Sequence, residues 1–139
     1  MMAKKKIVIV ATQFHKENIL QMLDVARQTC RNANLEITDE IWVPGSLEAP
    51  LALQRELKKK EVDGAVVLGI IERGETKHGL AMGIAVMNAV LDIQLKLEKP
   101  IGFGIMGPEI LPEQIKPRLK LFAKDAVSAV SVMLGSQII

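Results

Sequence analysis

Short runs of β-branched residues alternate along the chain with longer segments in which apolar residues recur every three or four positions. The short runs predict four strands, at residues 7–10, 37–43, 65–68 and 101–106. Because strands that alternate with helices build a parallel sheet covered by helices, this order predicts an α/β fold.

Right-handed crossover connections leave few topologies for four parallel strands. A flavodoxin-like strand order, 2-1-3-4, is therefore expected. At 139 residues the chain has the length of one domain, so residues 1–139 are interpreted as a single unit.

The first and last helical segments each have one apolar stripe, which predicts one buried face per helix. The first stripe is Ile19, Leu23, Ala26 and Cys30, and the last is Ile115, Leu119, Phe122, Ala126 and Met133. Cys30 cannot form an internal disulfide, because it is the single cysteine, and it is expected to be a small buried side chain.

Between residues 79 and 91 the apolar positions surround the whole helix, which predicts burial on more than one side. These positions are Leu80, Met82, Ile84, Val86, Met87, Val90 and Leu91. A four-stranded sheet and its neighbouring helices cover only part of such a helix, so the rest is expected to contact another subunit. A hydrophobic content of 49% is high for so small a domain and favours the same interpretation.

The formal net charge of +2 excludes the strongly basic face that nucleic-acid binding requires, and it disfavours a membrane-surface protein. The apolar run after Lys4, Lys5 and Lys6 is too short for a signal peptide. The longest apolar stretch is interrupted by Asp92, Gln94 and Lys96, so no membrane span is expected. A cytoplasmic protein is predicted.

In such a fold, ligands bind beyond the carboxyl ends of the strands, here in the loops 11–16, 44–48, 69–78 and 107–112. Loop 69–78 leads into a helix whose first turn has free backbone amides, and Thr76 adds a hydroxyl, a combination that favours a phosphate site. The alternative is that Thr76 only caps the helix. His78 is placed to transfer protons beside that anion, or is a surface histidine without a role.

Loop 44–48 ends with a carboxylate, Glu48, at the start of a helix. Glu48 is expected either to accept hydrogen bonds from ligand hydroxyls or merely to complement the helix dipole. Phe14 and Phe103 lie near the ends of two strands, where each would either stack on a flat ring or belong to the core.

Two motifs carry a family resemblance. Residues 43–50, V-P-G-S-L-E-A-P, resemble the V-P-G-A-F-E-I-P motif of the 6,7-dimethyl-8-ribityllumazine synthase family, and residues 68–78 resemble its L-G-x-x-I-R-G-x-T-x-H motif. The two motifs keep the family's separation, and residues 100–105 are similar to its P-V-I-F-G-V strand.

The resemblance implies condensation of 5-amino-6-ribitylaminouracil with 3,4-dihydroxy-2-butanone 4-phosphate, with no metal or organic cofactor. It implies that Phe14 stacks on the pyrimidine and that His78 is the proton shuttle. The remaining substrate contacts that it implies within one subunit are Ser46, Leu47 and Glu48 for the ribityl chain, Ile70 and Ile71, and Glu75 and Thr76 for phosphate.

The resemblance also implies a homo-oligomer, a pentamer or a multiple of pentamers, in which a neighbouring subunit completes each site. Phe103 of the neighbour would close over the ring, and a basic residue of its last helix would reach the phosphate. The candidates are Arg118, Lys120 and Lys124.

Several positions depart from the family pattern. Leu47 replaces a phenylalanine, and Leu80 and Ala81 replace an aspartate and a tyrosine after His78. The first loop, usually A-R-F-N in the family, has an extra residue before Phe14. Two alternatives therefore remain. One is an archaeal-type riboflavin synthase, disfavoured by the phosphate-type loop, and the other is a non-catalytic, flavin-binding or shell-forming paralogue, disfavoured by the retained Glu48, Thr76 and His78.

Overall fold

Four parallel strands form one sheet in the order β2-β1-β3-β4 in a computed structural model that describes residues 3–135. The strands are β1 Lys5–Thr12, β2 Leu35–Val43, β3 Gly64–Glu72 and β4 Ile101–Ile110. The α/β class and the strand order predicted from the sequence are confirmed.

The strands β3 and β4 are longer than predicted at their carboxyl ends. Residues 69–72 and 107–110 were expected to be loops, but they continue the sheet, and Glu72 pairs with Ile110 after a register shift. Ile70 and Ile71 therefore lie in a strand rather than in a loop. Glycine, proline and glutamate at these positions conceal the strand in the sequence, since pairing with the neighbouring strand, not local propensity, extends it.

Within residues 3–135, five helices cover the two faces of the sheet, together with short 3-10 turns at Ser46–Glu48 and Lys116–Arg118. They are α1 Lys16–Asn32, α2 Ala49–Leu57, α3 His78–Leu97, α4 Pro112–Ile115 and α5 Leu119–Met133. Because side chains alternate along a strand, Ile7 and Leu68 pack in the core shared with α1 and α5. Val8 and Val67 pack in the second core, with α2 and α3.

The stripe predicted for the first helix is confirmed, because Ile19, Leu23, Ala26 and Cys30 are all buried. The single helix predicted at the carboxyl end is wrong. The chain forms α4, then a 3-10 turn containing Pro117, which lacks an amide donor, and then α5. The buried stripe of α5 includes Ala123, Val127 and Val130, whereas Phe122 is half-buried and Met133 is 73% exposed.

Helix α3 has one covered side and one apolar side at the surface, in agreement with the all-round apolar pattern. It packs tightly on its covered side, where a Cβ atom on Gly83 would lie 2.6 Å from the Pro108 ring. On the other side a stripe remains exposed, which we call the α3 stripe: Ile84 (51%), Met87 (36%), Leu91 (49%) and Leu95 (76%).

By length and composition alone α3 could also cross a membrane, contrary to the expectation that Asp92 and Lys96 would prevent this. Only 22% of its most apolar window is buried within the fold. The helix nevertheless packs through Val86, Val90 and Ile93 against the sheet core, as the core helix of a folded domain does.

Candidate functional site

A cavity of about 520 Å³ lies at the carboxyl edge of the sheet, where the segments that follow β1, β2 and β3 meet. Its walls include Phe14, residues 44–48, residues 70–74, Thr76, His78, Gly79 and Met82. Three of the four loops predicted to hold chemistry therefore come together. The fourth, at residues 107–112, does not line this cavity, because β4 continues beside β3 through most of that segment.

Phe14 stands at the mouth of the cavity in the connection between β1 and α1. Its ring is half exposed, with 52% of its surface accessible, so the core does not bury it. The neighbouring His15 ring meets it in a T-shaped arrangement, with 4.4 Å between the ring centroids and an angle of 71° between the planes. Just before it, the amide of Gln13 donates to the carbonyl of Val43, at 2.9 Å, which ties this connection to β2.

The 3-10 turn Ser46–Glu48 forms a second wall. The amide of Glu48 donates to the carbonyl of Gly45, at 3.2 Å, which closes the turn immediately before α2. Ser46 is buried, whereas Leu47 is 57% exposed and faces the cavity as an apolar contact. The Glu48 side chain makes no capping hydrogen bond to α2. Its carboxylate is therefore not committed to the helix and is available to a ligand.

The end of β3 forms the apolar floor. Ile70 and Ile71 are each 2% exposed and still line the cavity. The next residue, Glu72, also lines it, and its Oε1 lies 2.5 Å from Nε2 of His15. This is a close side-chain contact rather than a regular hydrogen bond, since Nε2 of His15 meets no acceptor with hydrogen-bond geometry. Nothing in the sequence pattern indicates this contact.

The third wall is the start of α3. Thr76 is not the N-cap residue, which is Lys77, but its Oγ1 accepts a hydrogen bond from the amide of His78 at 3.2 Å. The alternative interpretation, that Thr76 only caps the helix, is thus wrong in position, although its hydroxyl accepts a hydrogen bond from the first turn. His78 lines the cavity, and its side chain forms neither a hydrogen bond nor an ion pair among residues 3–135. Met82, one turn later, was also missed, although a spacing of four residues from His78 indicates the same helix face.

Glu75 lies outside the main cavity. It lines an adjoining one of about 370 Å³, together with Arg73, Lys77 and Glu109, and Thr76 lines both. Arg73 Nε lies 3.4 Å from Glu109 Oε2, so two residues that line this second cavity form an ion pair.

The structure does not bring Phe103, Arg118 or Lys124 to the cavity of their own chain. Phe103 is half-buried at the edge strand β4, in a separate cavity with Phe122. Arg118 donates from Nη1 to the carbonyl of Gln114, at 3.0 Å, and Lys124 is exposed on α5. A role for these residues in the site of another subunit stays a prediction.

Comparison with known proteins shows the family of the chain. The chain matches the family described as 6,7-dimethyl-8-ribityllumazine synthase over residues 4–136. A protein of that name from Staphylothermus marinus is 36% identical, in an alignment that covers 94% of this chain and 87% of the relative. Proteins of the same name from Methanopyrus kandleri and Metallosphaera sedula are 30% and 34% identical, over 96% and 89% of this chain and 94% and 82% of theirs. The chain therefore belongs to the 6,7-dimethyl-8-ribityllumazine synthase family.

Proposed function

We propose that this chain condenses 5-amino-6-ribitylaminouracil with 3,4-dihydroxy-2-butanone 4-phosphate, giving 6,7-dimethyl-8-ribityllumazine, phosphate and water. One observation carries the proposal: Phe14, Glu48, Thr76 and His78, which come from three separate segments, line a single cavity. The cavity combines an exposed aromatic ring, an uncommitted carboxylate, a helix start and a histidine. A flat, polyhydroxylated substrate and a phosphorylated one require these groups.

The pyrimidine would lie against Phe14 and above the apolar floor of Ile70 and Ile71. Aromatic rings favour such stacked or edge contacts with other flat rings. Its ribityl chain would extend toward the turn at residues 46–48. There Ser46 and Glu48 offer polar groups to its hydroxyls, and Leu47 packs against its carbons.

The phosphate would lie at the start of α3, where the first-turn amides lack helical acceptors and the helix dipole favours an anion. Thr76 and Glu75 flank this position in the two adjoining cavities. The ketone of the same substrate is then held close to the pyrimidine amine. Proximity of two reactants accounts for a large share of rate acceleration in such condensations.

The reaction forms an imine from the amine and the ketone with loss of water, then breaks the bond to phosphate, and ring closure releases a second water. Each stage moves a proton at a nitrogen or oxygen atom of the substrates. His78 borders the cavity as the first residue of α3 and carries out these transfers.

Assembly into pentamers, or multiples of pentamers, belongs to the same proposal. In a single chain Glu75, Thr76 and His78 are exposed, so the cavity is open on that side. The α3 stripe is also uncovered. A neighbouring copy that covered the stripe would add Phe103 and a cation, Arg118 or Lys124, to the open side. The single domain at residues 1–139 would act in this form in the cytoplasm.

The test is to mix the purified full chain with both substrates and to follow lumazine absorbance and inorganic phosphate together. We expect both products in equal amounts, and neither when one substrate is omitted. A parallel sample given only the lumazine tests for riboflavin formation. Riboflavin there, or the absence of both products in the first sample, would overturn the proposal.

A further inference from the structure

We infer that His15 and Glu72 form a bridge that positions Phe14, which makes His15 a positioning residue for the substrate that carries the flat ring. We call this contact the His15–Glu72 bridge. It deepens the proposed function and rests on it. The bridge joins the β1–α1 connection to the end of β3, two segments far apart in the sequence.

His15 makes three contacts in three directions. Its carbonyl accepts hydrogen bonds from the amides of Asn18 and Ile19, at 2.9 and 3.0 Å, so α1 begins on it. Its ring meets that of Phe14, and Nε2 meets Glu72. Its backbone is left-handed, with φ 59° and ψ 42°. A conformation that non-glycine residues rarely adopt persists where surrounding contacts fix it.

Glu72 provides a rigid end for the bridge. It closes β3 and pairs with Ile110 of β4, and the amide of the next residue, Arg73, donates to the carbonyl of Ile110 at 2.9 Å. The Glu72 carboxylate is largely screened from solvent, with 28% of its side chain accessible, and His15 is similar at 25%. The contact therefore competes with water less than an exposed pair does.

Phe14 depends on this bridge for its orientation. Half of its ring is exposed, and the His15 ring is its aromatic neighbour in the described part of the chain. Without the bridge, the ring would still lie near the cavity mouth but would occupy several rotamers. A substrate that stacks on Phe14 would then have to order the ring as it binds, which weakens its binding.

The sequence motifs are consistent with a paired function. In the family motifs quoted above, A-R-F-N for the first loop and I-R-G for the second, asparagine and isoleucine occupy the two positions. This chain has His15 and Glu72 there, and the two unusual side chains contact one another.

The experiment measures kcat and the KM of each substrate for the full chain with His15→Asn, Glu72→Gln and both changes together. Asparagine tolerates left-handed backbone, so His15→Asn removes the ring and the bridge without straining the turn. The matched control is Lys16→Ala, because Lys16 is adjacent but lies over Trp42, 5.4 Å from the ring centroid. Hydrogen exchange of the amides of residues 13–19 gives a readout that does not depend on turnover.

For His15→Asn we expect a KM for the pyrimidine substrate raised about 2- to 10-fold, the loss expected of one aromatic contact, with the other KM and kcat nearly unchanged. The double variant should be no worse than the more affected single one. Exchange should be faster in residues 13–19 only, and Lys16→Ala should resemble the wild type.

Three results would overturn the bridge. They are an unchanged KM for the pyrimidine substrate, equal increases in the KM of both substrates, and single-variant effects on KM that multiply in the double variant. A wild-type chain without turnover would instead refute the proposed function. The bridge would then be judged by exchange alone, and unchanged exchange in His15→Asn would overturn it.

Discussion

Thr76 Oγ1 accepts a hydrogen bond from the backbone amide of His78, with 3.2 Å between the two atoms. His78, which is proposed to transfer protons, is thus hydrogen-bonded through its amide to Thr76, which is proposed to contact phosphate. No side chain caps α3 at Lys77, so this contact orders the turn. Changes at Thr76 and His78 should consequently affect different steps, even though the two residues are in contact.

We predict that His78→Ala lowers turnover by about 10²- to 10⁴-fold, the usual cost of losing a general acid–base group. Turnover should remain measurable, because imine formation needs little beyond two reactants held together. Phosphate affinity should stay nearly the same, since the helix start remains. Stopped-flow turnover and titration with inorganic phosphate test this. Unchanged turnover would remove His78 from the mechanism, and lost phosphate affinity would make it a ligand.

Thr76→Val should have the opposite profile. Valine keeps the shape of threonine but leaves the His78 amide without its acceptor and removes a hydroxyl from the proposed anion site. We expect phosphate binding to weaken by about 0.5 to 1.5 kcal/mol, while the catalytic step changes little. Thr76→Ser, which retains the hydroxyl, is the control. If valine and serine gave the same affinity, the hydroxyl would have no role in phosphate binding.

Glu48→Gln should weaken binding of the ribityl substrate much more than binding of the butanone phosphate. A hydrogen bond to a charged carboxylate contributes about 1.5 to 3 kcal/mol, and Glu48 borders the cavity without capping its helix. The KM of each substrate, measured at saturation with the other, separates the two effects.

The control for Glu48 is Glu17→Ala, because Glu17 also lies in the first turn of a helix but not in the cavity. This change should cost only about 0.3 to 1 kcal/mol of stability through the helix dipole and leave both KM values unchanged. Equal KM increases for both substrates in Glu48→Gln would show that Glu48 only supports α2.

Burial of the Cys30 thiol makes stability depend on pH. Burial raises the pKa of Cys30 from 9.0 to about 12, so the folded protein keeps its proton where the unfolded chain loses it. The contribution of the buried, protonated thiol to the free energy of unfolding is complete below pH 9, and it decreases as pH rises from 9 toward 12. The slope reaches at most about 1.4 kcal/mol per pH unit. Urea unfolding at pH 8, 9 and 10 measures it, and Cys30→Ala should lack this part of the decrease.

The sequence predicts the topology well because apolar residues on each strand alternate between the two faces of the sheet. Alternating residues such as Val8 and Ile9 enter different cores, and the stripe of α1 matches one of them. The prediction failed for the ends of β3 and β4, because the pairing of Glu72 with Ile110 extends these strands, rather than local propensity. It also failed at Pro117, where apolar periodicity continues through a residue that interrupts the helix.

The site was predictable to the extent that parallel strands share one carboxyl edge. Phe14, Glu48 and His78 meet there because each follows a strand of the same sheet. The His15–Glu72 bridge was not predictable, because a contact between distant side chains has no periodic signal. The places of Phe103, Arg118 and Lys124 depend on a surface that a single chain does not complete.

The last prediction concerns assembly of the chains through the exposed α3 stripe. The α3 stripe exposes Ile84, Met87, Leu91 and Leu95 at helical spacing, an apolar surface that association with other copies would remove from water. Leu91→Glu should therefore dissociate the oligomer, because a carboxylate buried in an apolar interface without a partner costs several kcal/mol. Sedimentation velocity at micromolar concentration measures the change in size.

Leu20→Glu is the matched control, since Leu20 is similarly exposed, at 43%, but stands among polar residues of α1. It should leave the sedimentation coefficient unchanged. Turnover should decrease together with size in Leu91→Glu, since Phe103 and the cation of the neighbour would be withdrawn from each cavity. A Leu91→Glu protein of wild-type size would exclude the stripe as the interface. A dissociated protein with full turnover would show that each chain completes its own site.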